Sequence, residues 1–246
     1  MQRYFVEESF NDQKQMTITG EAARHISKVM RMRKGEKIIV VQNGIAYVCT
    51  ILSIGQDVKV EQTGETVPSP EMPVQVDIAC GLPKGDKLEF IAQKGTELGM
   101  HALLPFAAER SIVKWDEKKS DRKIERLSKI AQEAAEQSHR TLVPKIFPPL
   151  SFQQLLERIP FYDAVFVADE EEAKGGHTRF ADKLKKVYDK ESKSILFIFG
   201  PEGGLSRKEV EAFKEQGAVT VALGPRILRA ETAPLYVLSA ISYEFE

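Results

Sequence analysis

Three short runs, Ala164–Ala168, Ile195–Phe199 and Val219–Leu223, are apolar almost from end to end, and each is followed by residues of helical pattern. A strand with one face in water alternates apolar and polar side chains. A strand apolar throughout is covered on both faces, as in a mostly parallel sheet flanked by helices. The same alternation starts earlier. Val74–Cys80 and Ala102–Phe106 read as strands, while Asp86–Leu98, about Asp121–His139, and Phe152–Ile159 read as helices. Residues 74–246 are therefore predicted to form one α/β domain.

The first 70 residues follow another pattern. Arg3–Val6, Met16–Thr19, Lys37–Gln42, Ile45–Ile54 and Asp57–Gln62 read as strands. Asn43-Gly44, between the third and fourth, supplies the two positive-φ residues of a tight hairpin. One helix, Gly20 to about Met32, interrupts them, with Ala23, Ile26, Val29 and Met30 on its apolar side. A small β-barrel or curled sheet with one helix is expected. Residues 63–73, TGETVPSPEMP, read as a semi-rigid extended connector because Pro68, Pro70 and Pro73 lie close together.

Several classes are excluded early. The longest unbroken apolar runs are five residues, against the 20 or so of a spanning helix. Glu7, Glu8 and Asp12 stand where a signal peptide would have its apolar core. Cys49 and Cys80 form no CxxC and are expected to be buried thiols. The four histidines, His25, His101, His139 and His177, show no metal-ligand spacing, so no metal site is expected. A cytoplasmic protein without a membrane segment is the expectation.

Two loops leave the C-terminal ends of predicted buried strands, the place where open α/β sheets bind ligands. The first is Gly200-Pro201-Glu202-Gly203-Gly204-Leu205-Ser206, and Ser206-Arg207-Lys208-Glu209 then forms a capping box that opens a helix. It matches neither GxGxxG nor GxxxxGK[ST]. The second runs from Leu223-Gly224-Pro225 through Arg226, Ile227, Leu228, Arg229 and Glu231 to Thr232. An ordinary turn would explain either loop alone. Two such loops after two buried strands point to a shared pocket.

GPEGGLS followed some twenty residues later by LGPRILRAET resembles the paired signature of the RsmE-type family, 16S ribosomal RNA uridine-N3 methyltransferases of the SPOUT class. Lys84-Gly85-Asp86-Lys87, the segment Lys94–Gly99, and Glu109-Arg110-Ser111 resemble further family stretches, as does the basic helix with His25, Arg31, Arg33 and Gly35. The resemblance spans nearly the whole chain. It implies a PUA-like β-barrel over 1–70 and a SPOUT-type α/β domain over 74–246, with a C-terminal trefoil knot over about 195–246. It also implies a homodimer and the cofactor S-adenosyl-L-methionine. By position, Phe199, Gly200, Pro201, Glu202 and Gly203 of one loop would hold the cofactor with Leu223, Gly224, Arg226, Ile227 and Leu228 of the other. Ala233-Pro234 after Thr232 departs from some relatives, but proline in a first helical turn is compatible with a helix start.

The implied chemistry assigns further roles. The uracil N3 proton is weakly acidic and must be removed or shared before N3 attacks a methyl group. Arg229 is the candidate for steadying the developing anion or for gripping the nucleotide phosphate. Glu231 is the candidate proton acceptor, with helix capping as the competing role. N3 lies on the pairing edge, so the target must be unpaired or extruded. Net charge is −1, yet residues 20–37 hold six basic and two acidic residues, and residues 110–145 hold ten and six. The purer first cluster, with Arg24, His25, Arg31 and Arg33, is the candidate phosphate contact, together with Lys84 and Arg110. Opposing acidity includes Asp169–Glu172. In the last helix Leu235, Leu238 and Ile241 suit core burial, or the dimer interface common in SPOUT proteins. Two competitors remain: a SPOUT methyltransferase with another RNA target, and a non-catalytic ribosome-assembly protein. The paired loops argue against the second.

Overall fold

The computed structural model describes residues 1–169 and 180–246. It comprises two compact units, Met1–Glu71 with Ala135–Leu142, and Met72–Ala134 with Val143–Glu246.

The first unit contains β1 (Arg3–Phe5), β2 (Gln15–Ile18), α1 (Gly20–Arg24), β3 (Lys37–Gln42), β4 (Ile45–Ile54) and β5 (Val58–Val67). Its five strands lie in the order β1-β3-β4-β5-β2. Asn43 and Gly44 have φ of 50° and 76°, as the hairpin requires. Two register shifts between β4 and β5 bend the sheet around a core of Tyr4, Ile18, Ile26, Val40, Ile51 and Val60. β5 extends to Val67, so the first half of the expected connector is strand.

The helix departs from expectation. Regular α-helix covers only Gly20–Arg24, and His25–Val29 widens into a π turn closed by Met30 N–H donating to His25 C=O at 2.9 Å. Arg31 then adopts φ 53° and reverses the chain. The wider turn rotates Val29 and Met30 off the core. Ala23 and Ile26 are fully buried, whereas Val29 is 64% and Met30 39% exposed.

Residues 135–142 belong to this unit through Glu71. Its carboxylate accepts from Thr141 N–H at 2.8 Å and Leu142 N–H at 3.1 Å, and it pairs with the guanidinium of Arg140. Arg3 donates to the Arg140 carbonyl at 2.7 Å. Arg140 is therefore buried structure, not part of a basic surface.

The second unit contains β6 (Gln75–Gly81), α2 (Lys87–Glu97), β7 (Ala102–Phe106), α3 (Glu117–Gln137, whose last residues fall in the first unit), β8 (Lys145–Ile146), α4 (Phe152–Leu156), β9 (Ala164–Ala168), α5 (Phe180–Asp189), β10 (Ser194–Phe199), α6 (Arg207–Glu215), β11 (Val219–Val221) and α7 (Thr232–Phe245). The predicted Phe152–Ile159 helix is split: α4 ends at Leu156 and a 3-10 turn covers Ile159–Phe161, with Pro160 breaking the α pattern. Glu170–Glu172 and His177 lie outside the described residues.

The six strands are all parallel, in the order β11-β9-β10-β6-β7-β8. Apolar clusters cover both faces. Ile78, Leu103, Phe197 and Phe199 pack on one side, and Ala79, Leu104, Leu196 and Ile198 on the other. This is the physical reason for their unbroken apolar runs. From β6 the chain winds outward to β7 and β8, and then returns to build β9, β10 and β11 on the opposite side. The switch point lies between β6 and β10, whose ends are in register at Cys80 and Phe199.

Cys49 and Cys80 are both buried, and burial pushes each thiol up to about 12. The raised value means that the neutral thiols belong to the folded state. Their contribution is complete below pH 9 and is lost as pH rises from 9 toward 12. Folded protein at pH 8 should react with a disulfide reagent about 1000-fold more slowly than unfolded protein, matching the loss of thiolate. Titration of both thiols at the unfolded rate would contradict this.

Candidate active site

The two ends of β6 and β10 carry adjacent loops. Gly81 closes β6 and sits against Pro201. A Cβ at Gly81 would lie 2.6 Å from Pro201 Cδ, so only glycine allows the approach. In the first loop Gly204 N–H donates to the Pro201 carbonyl at 2.8 Å, closing a four-residue turn. A Cβ at Gly200 would lie 2.6 Å from the Gly204 carbonyl carbon, because the turn folds back onto its own start. The capping box follows, with Ser206 Oγ accepting from Glu209 N–H and Glu209 accepting from Ser206 N–H.

Both neighbouring strand exits hold this loop. After β7, Glu109 N–H donates to buried Glu209 at 2.8 Å, and Arg110 donates to the Gly203 carbonyl at 2.9 Å. After β6, Lys84 N–H donates to Glu202 at 3.0 Å, and Lys87 donates to the same oxygen at 2.8 Å. Burial alone would raise the Glu202 carboxyl, but the hydrogen bonds from Lys87 and from backbone N–H groups outweigh it and hold it below its ordinary value. The hydrogen bond to Glu202 in turn raises the Lys87 ammonium.

The second loop starts from the edge strand β11 and must cross toward α2. It does so: Glu231, at the start of α7, places Oε2 3.5 Å from Lys87 Nζ. Beyond it, α7 packs on α2, where a Cβ on Gly95 would meet Leu238 at 3.6 Å. Gly224 has φ 97°. Arg226, Ile227 and Arg229 are exposed, and Leu223, Gly224 and Leu228 are half-buried. The Arg229 carbonyl accepts from the N–H groups of Thr232 and Ala233, which fixes the backbone below an exposed guanidinium. Glu231 occupies the N-cap position but makes no side-chain cap, so its carboxylate faces Lys87.

The first loop thus presents glycine-rich backbone at a topological switch point, and Lys87 joins its Glu202 carboxylate to that of Glu231 at the end of the second loop. Such a cradle suits a ligand held by backbone groups. Among the described residues no three His, Cys, Asp or Glu side chains are grouped to hold a metal ion, and no helix is long and apolar enough to cross a membrane.

Residues 70–242 match the family model described as RNA methyltransferase domain, and residues 18–60 match that of the RNA methyltransferase PUA domain. The ribosomal RNA small subunit methyltransferase E of Bacillus subtilis is 50% identical, covering 100% of this chain and 98% of its own length. This chain belongs to the RsmE-type family of RNA methyltransferases.

Other members of the family agree. The Synechocystis methyltransferase E is 33% identical, over 92% of this chain and 72% of its own length. The Neisseria gonorrhoeae methyltransferase E, solved bound to S-adenosyl methionine, superposes with a TM-score of 0.87 at 28% identity, covering 100% of this chain and 98% of that one. The fold expected for the family, an α/β methyltransferase domain with a PUA-like domain, is present.

Not all candidate residues of the family reading lie in one place. Phe199, Gly200, Pro201, Glu202 and Gly203 of the first loop are joined to Glu231 through Lys87. Lys84 and Arg110 flank that loop. Lys84 contributes its backbone N–H and keeps its side chain exposed, while Arg110 commits one guanidinium nitrogen to Gly203. Arg24, Arg31 and Arg33 are exposed in the first unit. His25 is half-buried there, its Nδ1 3.0 Å from the buried Tyr4 hydroxyl, which limits it as a phosphate contact. Gly81 was not singled out by sequence reasoning, and Lys87 entered only as the last residue of the family stretch Lys84-Gly85-Asp86-Lys87, with no role assigned. Gly81 ends an apolar strand just before Leu82-Pro83-Lys84-Gly85, a pattern that could have marked it; nothing local marks Lys87.

Proposed function

We propose that this protein is an S-adenosyl-L-methionine-dependent methyltransferase that modifies N3 of a uridine in 16S ribosomal RNA of the small subunit. The reading is supported by one observation: the first glycine loop leaves β10 at the switch point of a parallel sheet, and Lys87 joins it to Glu231 at the end of the second loop, in a chain of this family. A side chain at Gly81 or Gly200 would collide with Pro201 or with the Gly204–Leu205 backbone, so glycine at both positions is needed to form the loop proposed to hold the cofactor. Phe199–Gly203 and the half-buried Leu223, Gly224 and Leu228, with Arg226 and Ile227, would hold it. When bound it supplies an electrophilic methyl group on a sulfonium.

The chain's own residues then have the following tasks. The loops fix the direction of attack, which can supply a large part of a rate enhancement. Arg229 steadies negative charge spreading over the uracil carbonyls. Glu231 accepts the N3 proton from a base presented unpaired. Arg24, Arg31, Arg33 and Lys84 meet phosphates. Residues 1–70 serve as the PUA-like RNA-binding domain and residues 74–246 as the SPOUT domain, with a trefoil knot over about 195–246. A cytoplasmic homodimer completes the proposal.

Mass spectrometry of ribosomal RNA nucleosides from a deletion strain tests it. Loss of 3-methyluridine from 16S RNA, restored by the wild-type chain, is the expected result. Persistence of all 3-methyluridine would refute the assignment.

A further inference from the structure

Lys87 stands at the first position of α2, and its one ammonium meets carboxylates from both loops. Its Nζ is 2.8 Å from Glu202 Oε1 and 3.5 Å from Glu231 Oε2. The first contact is a charge-assisted hydrogen bond, reinforced by Lys84 N–H on the same oxygen. The second is longer and acts mainly through charge. Glu231 Oε2 is buried and has no hydrogen-bond partner among the described residues. A carboxylate oxygen removed from water without a hydrogen-bond donor is costly, and the Lys87 charge beside it offsets part of that cost.

We propose that Lys87 is a positioning residue: it locks the two glycine loops to α2 and to each other, and it holds the Glu231 carboxylate by its buried oxygen Oε2, leaving the rest of that partly exposed side chain to face the substrate base. This rests on the methyltransferase reading for its chemistry, though not for its geometry. Residues 202 and 231 come from loops after different strands, and neither loop supplies a direct side-chain bond to the other in the described contacts. Displacing either loop would break its arm of the Lys87 bridge. The uracil N3–H is a donor that the Glu231 carboxylate can accept, and transfer of its proton to that carboxylate leaves the N3 lone pair to form the new bond to the methyl carbon as the carbon–sulfur bond breaks.

The test uses Lys87→Met and Lys87→Arg in the full chain. Amide hydrogen exchange should quicken about tenfold in Lys87→Met over both 200–204 and 226–232, since the lock anchors each locally. With small-subunit RNA, kcat should fall about 10- to 100-fold while KM stays within about threefold, the pattern of a lost alignment. Lys87→Arg should recover most of kcat. If Lys87→Met fails to fold, Lys87→Gln keeps the polar stem and takes its place. Unchanged exchange in either loop would overturn the proposal, as would a loss carried by KM. Failure of the wild-type chain to methylate RNA would count against the methyltransferase reading alone, because the exchange data still decide the lock.

Discussion

Arg229→Ala is expected to abolish methyl transfer while cofactor affinity stays within a few fold of wild type. Arg229 closes the second loop, and two N–H groups of the next helix, those of Thr232 and Ala233, donate to its carbonyl at 2.9 and 3.0 Å. Truncating the side chain leaves those backbone bonds intact, so the loop keeps its shape. What disappears is an exposed guanidinium at the end of the second loop. If that cation steadies the uracil anion, its removal acts on the transition state, and losses of about 100- to 1000-fold are usual for a donor of that kind. Calorimetry with S-adenosylmethionine and transfer of labelled methyl groups to small subunits separate the two effects. Arg229→Lys should recover little, because an ammonium cannot reproduce a planar pair of donors. Turnover unchanged in Arg229→Ala would remove the residue from the chemistry. A cofactor affinity that falls in parallel would instead make it part of the loop's architecture.

The difference between Arg229 and Lys87 shows what a sequence can disclose. Arg229 sits in a short motif, so its neighbours in sequence are its neighbours in space. Local patterns of that kind carried far. Asn43-Gly44 is the tight hairpin, Ser206 to Glu209 is the capping box, and the apolar runs of β9 and β10 are strands of a parallel sheet covered on both faces, whereas the third run gives the short edge strand β11 with Val219 exposed. The family resemblance drew on the same local signals. Lys87 partners lie 115 and 144 positions away, and a lysine at a helix start has the pattern of any solvated residue. Its role exists only once the switch point brings β6 beside β10. The same holds for Arg140, which reads as part of a basic stretch until Glu71 and Arg3 are seen to bury it. The π turn escaped for another reason. The residues of 20–32 have an ordinary helical spacing, and the widening that exposes Val29 and Met30 depends on how the chain reverses at Arg31.

Glycine spacing is legible in sequence, but which glycine is indispensable is decided by what stands opposite it. Gly200→Ala should weaken cofactor binding at least tenfold and destabilise the second unit by about 2 kcal/mol, within the range for inserting a group into packed structure. A Cβ at this position meets the Gly204 carbonyl carbon at 2.6 Å and Leu205 N at 2.7 Å. Both are backbone atoms, and the turn that holds them is closed by the Gly204-to-Pro201 hydrogen bond and anchored by the Ser206–Glu209 box. The new carbon can be accommodated only by opening that turn, which moves the surface proposed to hold the cofactor. Gly203→Ala is the fitting comparison from the same loop. Its Cβ meets Arg110 Cβ at 3.3 Å and Arg110 Cδ at 3.7 Å, tight contacts at an exposed residue that a small local shift relieves without opening the turn. Gly203→Ala should therefore cost less than about threefold in affinity, since substitutions at exposed positions that need only small shifts cost little. Calorimetry and thermal melts on the two variants, side by side, provide the measurement. Equal affinity in Gly200→Ala and wild type would mean that the first loop is not the cofactor's cradle. Equal losses in the two variants would mean that any methyl group in the loop is excluded, so that contact with the ligand, not the fold of the turn, selects glycine there.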